Sequence, residues 1–241
     1  MSKGSGGGGG SHGHGGAGGR SAGGGAPDGT VAGAGAEFAG LKEHKFFSNA
    51  EPNEAAELAA VGRSSGFIDS LPRDQQDAIR SFTAGIGFDA IRAADAGRST
   101  DATAVSRAAA INRAIAVAPK HEQTVYRGIA VDRATLQSIM KQRELRLDSM
   151  SSASRAPWFA RKFVSDNIER TGPSERRKPY GVVFKIRQRS GAPIEAGSHN
   201  SSEQEVLLPK GTRYRIVGMT RTSIVAWQGR SPTLVVHAEE I

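Results

Sequence analysis

Apolar residues recur with two different periods along this chain, and the change of period near Pro119 divides it. From about residue 41 to 120 the spacing is helical: Ala104, Ala108, Ile111 and Ile115 stand at steps of four, three and four, which puts them on one stripe. Ile79, Phe82 and Ile86 form a similar stripe after Pro72-Arg73-Asp74, where a proline near a helix start is well tolerated. Three or four helices are predicted here, with Gly62, Gly66 and Gly97 marking the breaks. Beyond Pro119, β-branched and aromatic residues appear in short runs separated by Gly, Pro and Asn. These predict strands at 124–128, 181–187, 205–208, 214–219, 223–227 and 233–237. Two further helices are predicted at 133–143 and 157–169, the second with Phe159 and Phe163 on one face. Trp158 and Phe159 read as helix core. Helices first and strands later define an α+β domain with mostly antiparallel pairing.

Composition adds a tail to this domain. Of the 31 glycines, 18 fall in residues 1–40, a stretch with nothing to bury, so a disordered tail is expected there and a single folded unit over 41–241. Within that unit, 41–120 is the helical part and 121–241 the strand-rich part. Formal net charge is +8. Lys3 and Arg20 offset Asp28 and Glu37, so the excess belongs to the folded part. Ten Lys or Arg lie between Arg155 and Arg189 against Asp166, Glu169 and Glu175, which predicts one positive face. The absence of cysteine excludes disulfides and thiolate chemistry and fits a reducing compartment. No stretch approaches the roughly 18 apolar residues of a membrane helix, and no cleavable export signal opens the chain. A soluble monomer without a membrane partner is expected.

Three short segments carry candidate chemistry. Glu203-Gln204-Glu205 precedes Val206-Leu207-Leu208-Pro209; in an extended segment, carboxylates two apart project to one side, and a dry strand seldom opens with two acids on one face without use for them. Tyr126-Arg127-Gly128 places a planar five-donor guanidinium beside a glycine, which gives backbone room for a ligand. The run from Ser149 to Ser154 offers small hydroxyls able to bond a carboxylate or a ribose. Taken singly, these segments equally describe a solvated acidic edge, a surface arginine and an idle loop. No G-x-S-x-G motif or evident histidine triad supports a serine nucleophile. The His12 and His14 pair stands in the glycine tail and is expected to bind no metal except adventitiously.

The order arginine strand, Ser-x-Ser strand, then E-x-E leading into L-L-P resembles the R-S-E class of mono-ADP-ribosyltransferases over roughly residues 50–241, most specifically in the run from Ser201 to Thr212. That resemblance implies the ADP-ribosyltransferase fold, N-terminal helices packed on a two-sheet β core, and NAD⁺ as substrate without a metal. Arg127, with Gly128 beside it, then matches the family's grip on the NAD⁺ phosphates and adjoining ribose. Ser152 matches the serine that holds the catalytic acid near the nicotinamide ribose, and Ser154 the more structural last serine. Ala153 stands where the family has threonine and Met150 where it has an aromatic residue, so Ser151 is an alternative in the adjacent register. Glu205 matches the catalytic glutamate, and Glu203 the upstream acid found when arginine is the acceptor.

These roles imply transfer of ADP-ribose to arginine of a target protein by a bacterial effector or toxin, secreted and acting in a host cytoplasm. Residence in the bacterial cytoplasm and delivery by a phage are the alternatives. NAD⁺ hydrolysis is a rival reaction, and a basic nucleic-acid-binding module with a vestigial site a rival class. The latter lacks any nucleic-acid fold signature or interleaved aromatic platform, so no nucleic-acid partner is expected. Tyr180 reads either as a neighbour of the nicotinamide pocket or as edge packing, and Arg176-Arg177-Lys178 as a solvated loop or a steering patch.

Overall fold

The helical half contains α1 (Glu54–Ser70), α2 (Arg73–Thr83), α3 (Phe88–Asp95) and α4 (Ala102–Val117). The computed structural model describes residues 36–44, 54–85, 87–168, 178–226 and 229–241. The glycine-rich tail up to residue 35 with His12 and His14, and also Ile86, Arg176, Arg177 and Trp227, lie outside the described residues. Helix α4 starts where Asp101 accepts the Ala104 N–H at 2.6 Å, and its predicted stripe of Ala104, Ala108, Ile111 and Ile115 is buried. Its Ala108, Ile111 and Ile115 pack with Ile79 and Phe82 of α2 and Ile91 of α3. The predicted break at Gly97 is present: φ is 75°, and the Arg98 N–H returns to the Ala93 carbonyl at 2.7 Å. Breaks at Gly62 and Gly66 are not. Helix α1 runs through both, because the roughly 1 kcal/mol that a glycine costs a helix is small beside the burial of Phe67, Ile68 and Leu71 around it.

Eight strands follow: β1 (Gln123–Val131), β2 (Glu144–Arg146), β3 (Ser151–Ser154), β4 (Tyr180–Gln188), β5 (Ala192–Pro193), β6 (Glu205–Leu208), β7 (Arg213–Ala226) and β8 (Gly229–Glu240). Their order is β2-β7-β8-β4-β1-β3-β6-β5, with β4 and β8 parallel and every other pair antiparallel. The expected strands at 214–219 and 223–227 are one strand. Thr220, Arg221 and Thr222 stay paired with Val235, Leu234 and Thr233, and the only irregularity is a bulge between Ile216 and Gly218. The strands also form one hydrogen-bonded sheet rather than the two expected. A single register pair, Tyr126↔Ser154, joins the five-stranded portion ending in β1 to the three-stranded portion beginning with β3. Where β1 and β3 part, a cleft opens between them.

Two more helices, α5 (Arg133–Lys141) and α6 (Pro157–Asn167), occupy the crossovers. The core face of α6 is Ala160 and Val164, not the aromatic pair. Trp158 is 46% exposed, while Phe159 and Phe163 turn toward the cleft. Helix α6 lies close on β1 and β4 because glycines face it. A Cβ on Gly128 would stand 2.1 Å from the Ala160 carbonyl oxygen, and one on Gly181 would stand 2.6 Å from Val164. The missing Cβ of Gly128 therefore admits α6, while its backbone lines the cleft.

Within the predicted positive face over Arg155–Arg189, several of the described basic residues have partners, and Arg170, Arg176 and Arg177 lie outside the described residues. Arg155 turns inward to Glu195, Lys162 pairs with Asp166, Arg187 with Glu122, and Arg189 bonds Glu240. Consecutive residues leave the helix and strands in different directions, and the side chains of Arg155, Lys162 and Arg187 each reach an acid. Tyr180 belongs to the core, edge-on to Phe38 at 6.3 Å, and does not reach the cleft.

Gly128→Ala should destabilise the fold by roughly 1–3 kcal/mol or more, since the colliding partner is backbone. Gly66→Ala, with open space around it, should instead stabilise by about 0.5–1 kcal/mol. Urea denaturation of the two variants beside the parent measures both.

Candidate active site

Strand β6 fixes the first functional group. Val206 and Leu208 enter one core cluster and Leu207 the other, all fully buried, so the strand cannot slip without exposing them. Glu205 opens this strand at 4% exposure. Glu203 reaches the same cleft by a different route from the alternation expected. It ends a 3₁₀ turn, Ser201–Glu203, and Gln204 between the acids is left-handed at φ 49°, ψ 48°. Among the described residues no other non-glycine has positive φ. Such a conformation costs about 1–2 kcal/mol. It is held by the Arg155 N–H on the Gln204 carbonyl (3.1 Å) and the Gln204 N–H on that of Ser201 (3.2 Å).

Strand β3 pairs with β6 so that Ser154 stands opposite Glu205. Side chains alternate along it. Ser151 points away from the cleft and donates to the Ser149 carbonyl, whereas Ser152 and Ser154 face the acids. The Ser152 hydroxyl donates to Oε1 of Glu205 at 2.5 Å. Ser154 donates to the Glu203 backbone oxygen at 2.6 Å and accepts the Ala156 N–H at 2.9 Å, fastening the acid turn to the end of β3. Of the two registers left open by the sequence, Ser152 is the one in contact with Glu205.

Arg127 on β1 extends a guanidinium N–H to the Ser152 carbonyl oxygen at 2.5 Å. Burial, with the positive charge of Arg92 nearby, lowers its pKa to about 10, which leaves it charged at neutral pH. Arg92 on α3 lines the same cleft, 5.3 Å over the Phe88 ring. The sequence reading missed it, and the only signal available was its four-residue spacing from Phe88. The cleft has a volume of about 460 Å³. Arg92, Arg127 and Lys178 supply cationic lining, Asp89, Glu203 and Glu205 acidic lining, and Phe88, Phe159 and Phe163 apolar walls. All six residues singled out from sequence, Arg127, Gly128, Ser152, Ser154, Glu203 and Glu205, line it.

The loop before the acids adds residues that the sequence did not point to. Ser198 donates to Oε2 of Glu205 at 3.1 Å, and Asn200 Nδ2 donates to Oε1 of Glu203 at 3.1 Å. Burial raises the Glu205 pKa to about 7; the hydroxyl of Ser152 opposes the rise, the charge of Glu203 adds to it, and the hydroxyl of Ser198 opposes it. Glu203 is also raised by burial, against the Asn200 hydrogen bond and the neighbouring His199. Among the described residues no group of three or more His, Asp or Glu could hold a metal ion, and no helix is long and apolar enough to cross a membrane.

A raised carboxyl pKa means that the folded chain holds a proton which the unfolded chain has lost between pH 4.5 and about 7. Stability therefore falls as pH rises through that window. Glu205→Gln removes this burden. It should be more stable than the parent at pH 8 by roughly 3 kcal/mol, an advantage that shrinks to near zero by pH 4, as read from denaturation at several pH values.

Comparison with known proteins places this geometry. No curated protein matches the chain. Among solved structures, the Vis toxin, an ADP-ribosyltransferase from Vibrio splendidus, superposes with a TM-score of 0.57 at 20% identity, over 79% of this chain and 86% of its own. Plx2a, an ADP-ribosyltransferase toxin from Paenibacillus larvae, gives 0.52 at 18% identity, over 78% and 96%. Vis in complex with agmatine gives 0.54 at 21% identity, over 77% and 86%. The family model described as NAD:arginine ADP-ribosyltransferase matches residues 106–227, half of the chain and the part holding Arg127, Ser152, Glu203 and Glu205. The chain belongs to the NAD:arginine ADP-ribosyltransferase family.

Proposed function

We propose that the chain transfers ADP-ribose from NAD⁺ to an arginine side chain of a target protein, as a bacterial toxin-type enzyme. The observation that carries this reading is the meeting of Arg127, Ser152 and Glu205 in one cleft, with Glu203 beside them. Arg127, with Gly128 behind it on β1, holds the diphosphate and adjoining ribose. A planar guanidinium suits phosphate oxygens, and Arg92 and Lys178 add positive charge on the same lining. The apolar walls accept the aromatic rings of the dinucleotide. No metal is needed for these steps.

The bond to be broken joins the nicotinamide nitrogen to C1′ of the ribose. Its electron pair leaves with nicotinamide, and C1′ becomes oxocarbenium-like. Glu205, held by Ser152, accepts a hydrogen bond from the ribose 2′-hydroxyl, and its negative charge counts most as positive charge grows on the sugar. The acceptor is a guanidinium with a pKa above about 12, a poor nucleophile until it loses a proton. Glu203 orients it and takes that proton as the new C1′–N bond forms. Burial brings the Glu203 pKa upward, which makes it a better base. Vis, a structural neighbour, has been crystallised with agmatine, a small molecule ending in a guanidinium, which supports an arginine acceptor.

Incubation of the chain with labelled NAD⁺ and a mixed protein lysate should label acceptors through a hydroxylamine-sensitive bond. Glu203→Gln should lose labelling while nicotinamide release persists, and Glu205→Ala should lose both by roughly 10²-fold or more. Labelling that survives in Glu203→Gln contradicts the arginine assignment. Nicotinamide release by the parent that no protein acceptor increases would make water the acceptor. Turnover at low NAD⁺ should rise with pH through about 7, since only ionised Glu205 serves, and level off above it.

A further inference from the structure

Glu205 is bonded on both of its oxygens, and only one of the two donors belongs to the strand motif. We infer that Ser198 is a second positioning residue for Glu205, its hydroxyl fixing Oε2 and tying the Glu203 turn to the acid on β6. The inference rests on the reaction proposed above.

A carboxylate held through one oxygen still turns about its last bond, whose torsional preference is broad. With Ser152 on Oε1 and Ser198 on Oε2 the plane is set. A carboxylate offers about four acceptor sites, so lone pairs remain for a ribose hydroxyl. Ser198 is itself fixed. It follows the short turn Glu195–Gly197, its N–H meets the Glu195 carbonyl at 3.3 Å, and Glu195 is buried in its pair with Arg155.

While donating to Glu205, the Ser198 hydroxyl accepts the Asn200 N–H at 3.3 Å, and the Asn200 side chain holds Glu203. Successive residues are thus linked from Glu203 through Asn200 and Ser198 to Glu205, and from there through Ser152 to Arg127, the links passing between side chain and backbone at Asn200 and at Ser152. If Ser198 merely stapled its own loop, its bond from Asn200 would matter and its bond to Glu205 would not.

The two roles separate in a titration. The other charged or titratable groups around Glu205 are Glu203 and His199 on the same loop, Arg127 and Tyr126 on β1, Arg92 and Asp89 on α3, and Lys178 before β4. All are retained when Ser198 is changed. The Glu205 carboxyl can be followed by carbon-13 NMR in the full, substrate-free chain, its signal assigned by its loss in Glu205→Gln. In Ser198→Ala the midpoint should rise by about one pH unit, because a donor to the charged form is gone, and Ser198→Thr should restore it. Ser198→Gly gives the same reading should the alanine variant disturb the loop. The acid limb of nicotinamide release should move with the midpoint, about tenfold slower at a pH below both midpoints, with KM for NAD⁺ within about twofold of the parent. An unmoved midpoint in both the alanine and glycine variants, or a loss equal at every pH, would overturn the inference. Absence of NAD⁺ turnover by the parent would reject the proposed reaction instead, and the titration would still decide the bond.

Discussion

Burying a carboxylate is the constraint on which this structure turns. Glu205 lies 4% exposed at the head of a fully buried strand, where an unpartnered charge would cost several kcal/mol or simply take a proton. The fold answers with hydroxyl donors from two directions and keeps the group near the boundary between its charged and neutral forms. Ordinary packing supplies the precision. Val206 and Leu208 are locked into the sheet core and Leu207 into the helical core, so the strand carrying the acid is clamped from both sides. The helices stand far from the strand motifs in sequence, yet they form one wall of that clamp.

The cleft exists because β1 and β3 share one register pair and then separate. A fuller ladder would close the space where Arg127 and Ser152 meet. Helix α6 completes the opposite wall, and it lies low enough only because Gly128 and Gly181 carry no side chains. Val164 fills the space between these glycines, which turns Phe159 and Phe163 toward the cleft. Charge at the site is thus mixed by construction: guanidinium groups arrive from β1 and α3, acids from β6 and the turn before it.

Much of the helical half was legible in the sequence because burial imposes a period, and the stripe from Ala104 to Ile115 is as buried as its spacing implies. Glycines at 62 and 66 misled because intrinsic propensity is weak beside packing. Strand β7 divides into two pieces in the sequence because the polar run Thr220-Arg221-Thr222 interrupts its apolar residues, whereas the pairing with β8 continues through it. The E-x-E pair drew attention for an incomplete reason. Its acids do share a cleft, but through a left-handed Gln204 and not through strand alternation. Ser198 left no readable signal and Arg92 only its spacing from Phe88, since one serine among several in a polar loop and an arginine on an amphipathic helix acquire meaning only from what the tertiary fold places opposite them.

The convergence of Arg127, Ser152 and Glu205 on one dinucleotide is the central claim, and a crystal structure of Glu205→Gln with NAD⁺ bound tests it most directly. The diphosphate should lie against Arg127, and the nicotinamide ribose should present its 2′-hydroxyl to residue 205 beside Ser152, with Glu203 open to an incoming guanidinium. A dinucleotide bound outside the cleft between β1 and β3, or one whose diphosphate lies away from Arg127, would contradict it.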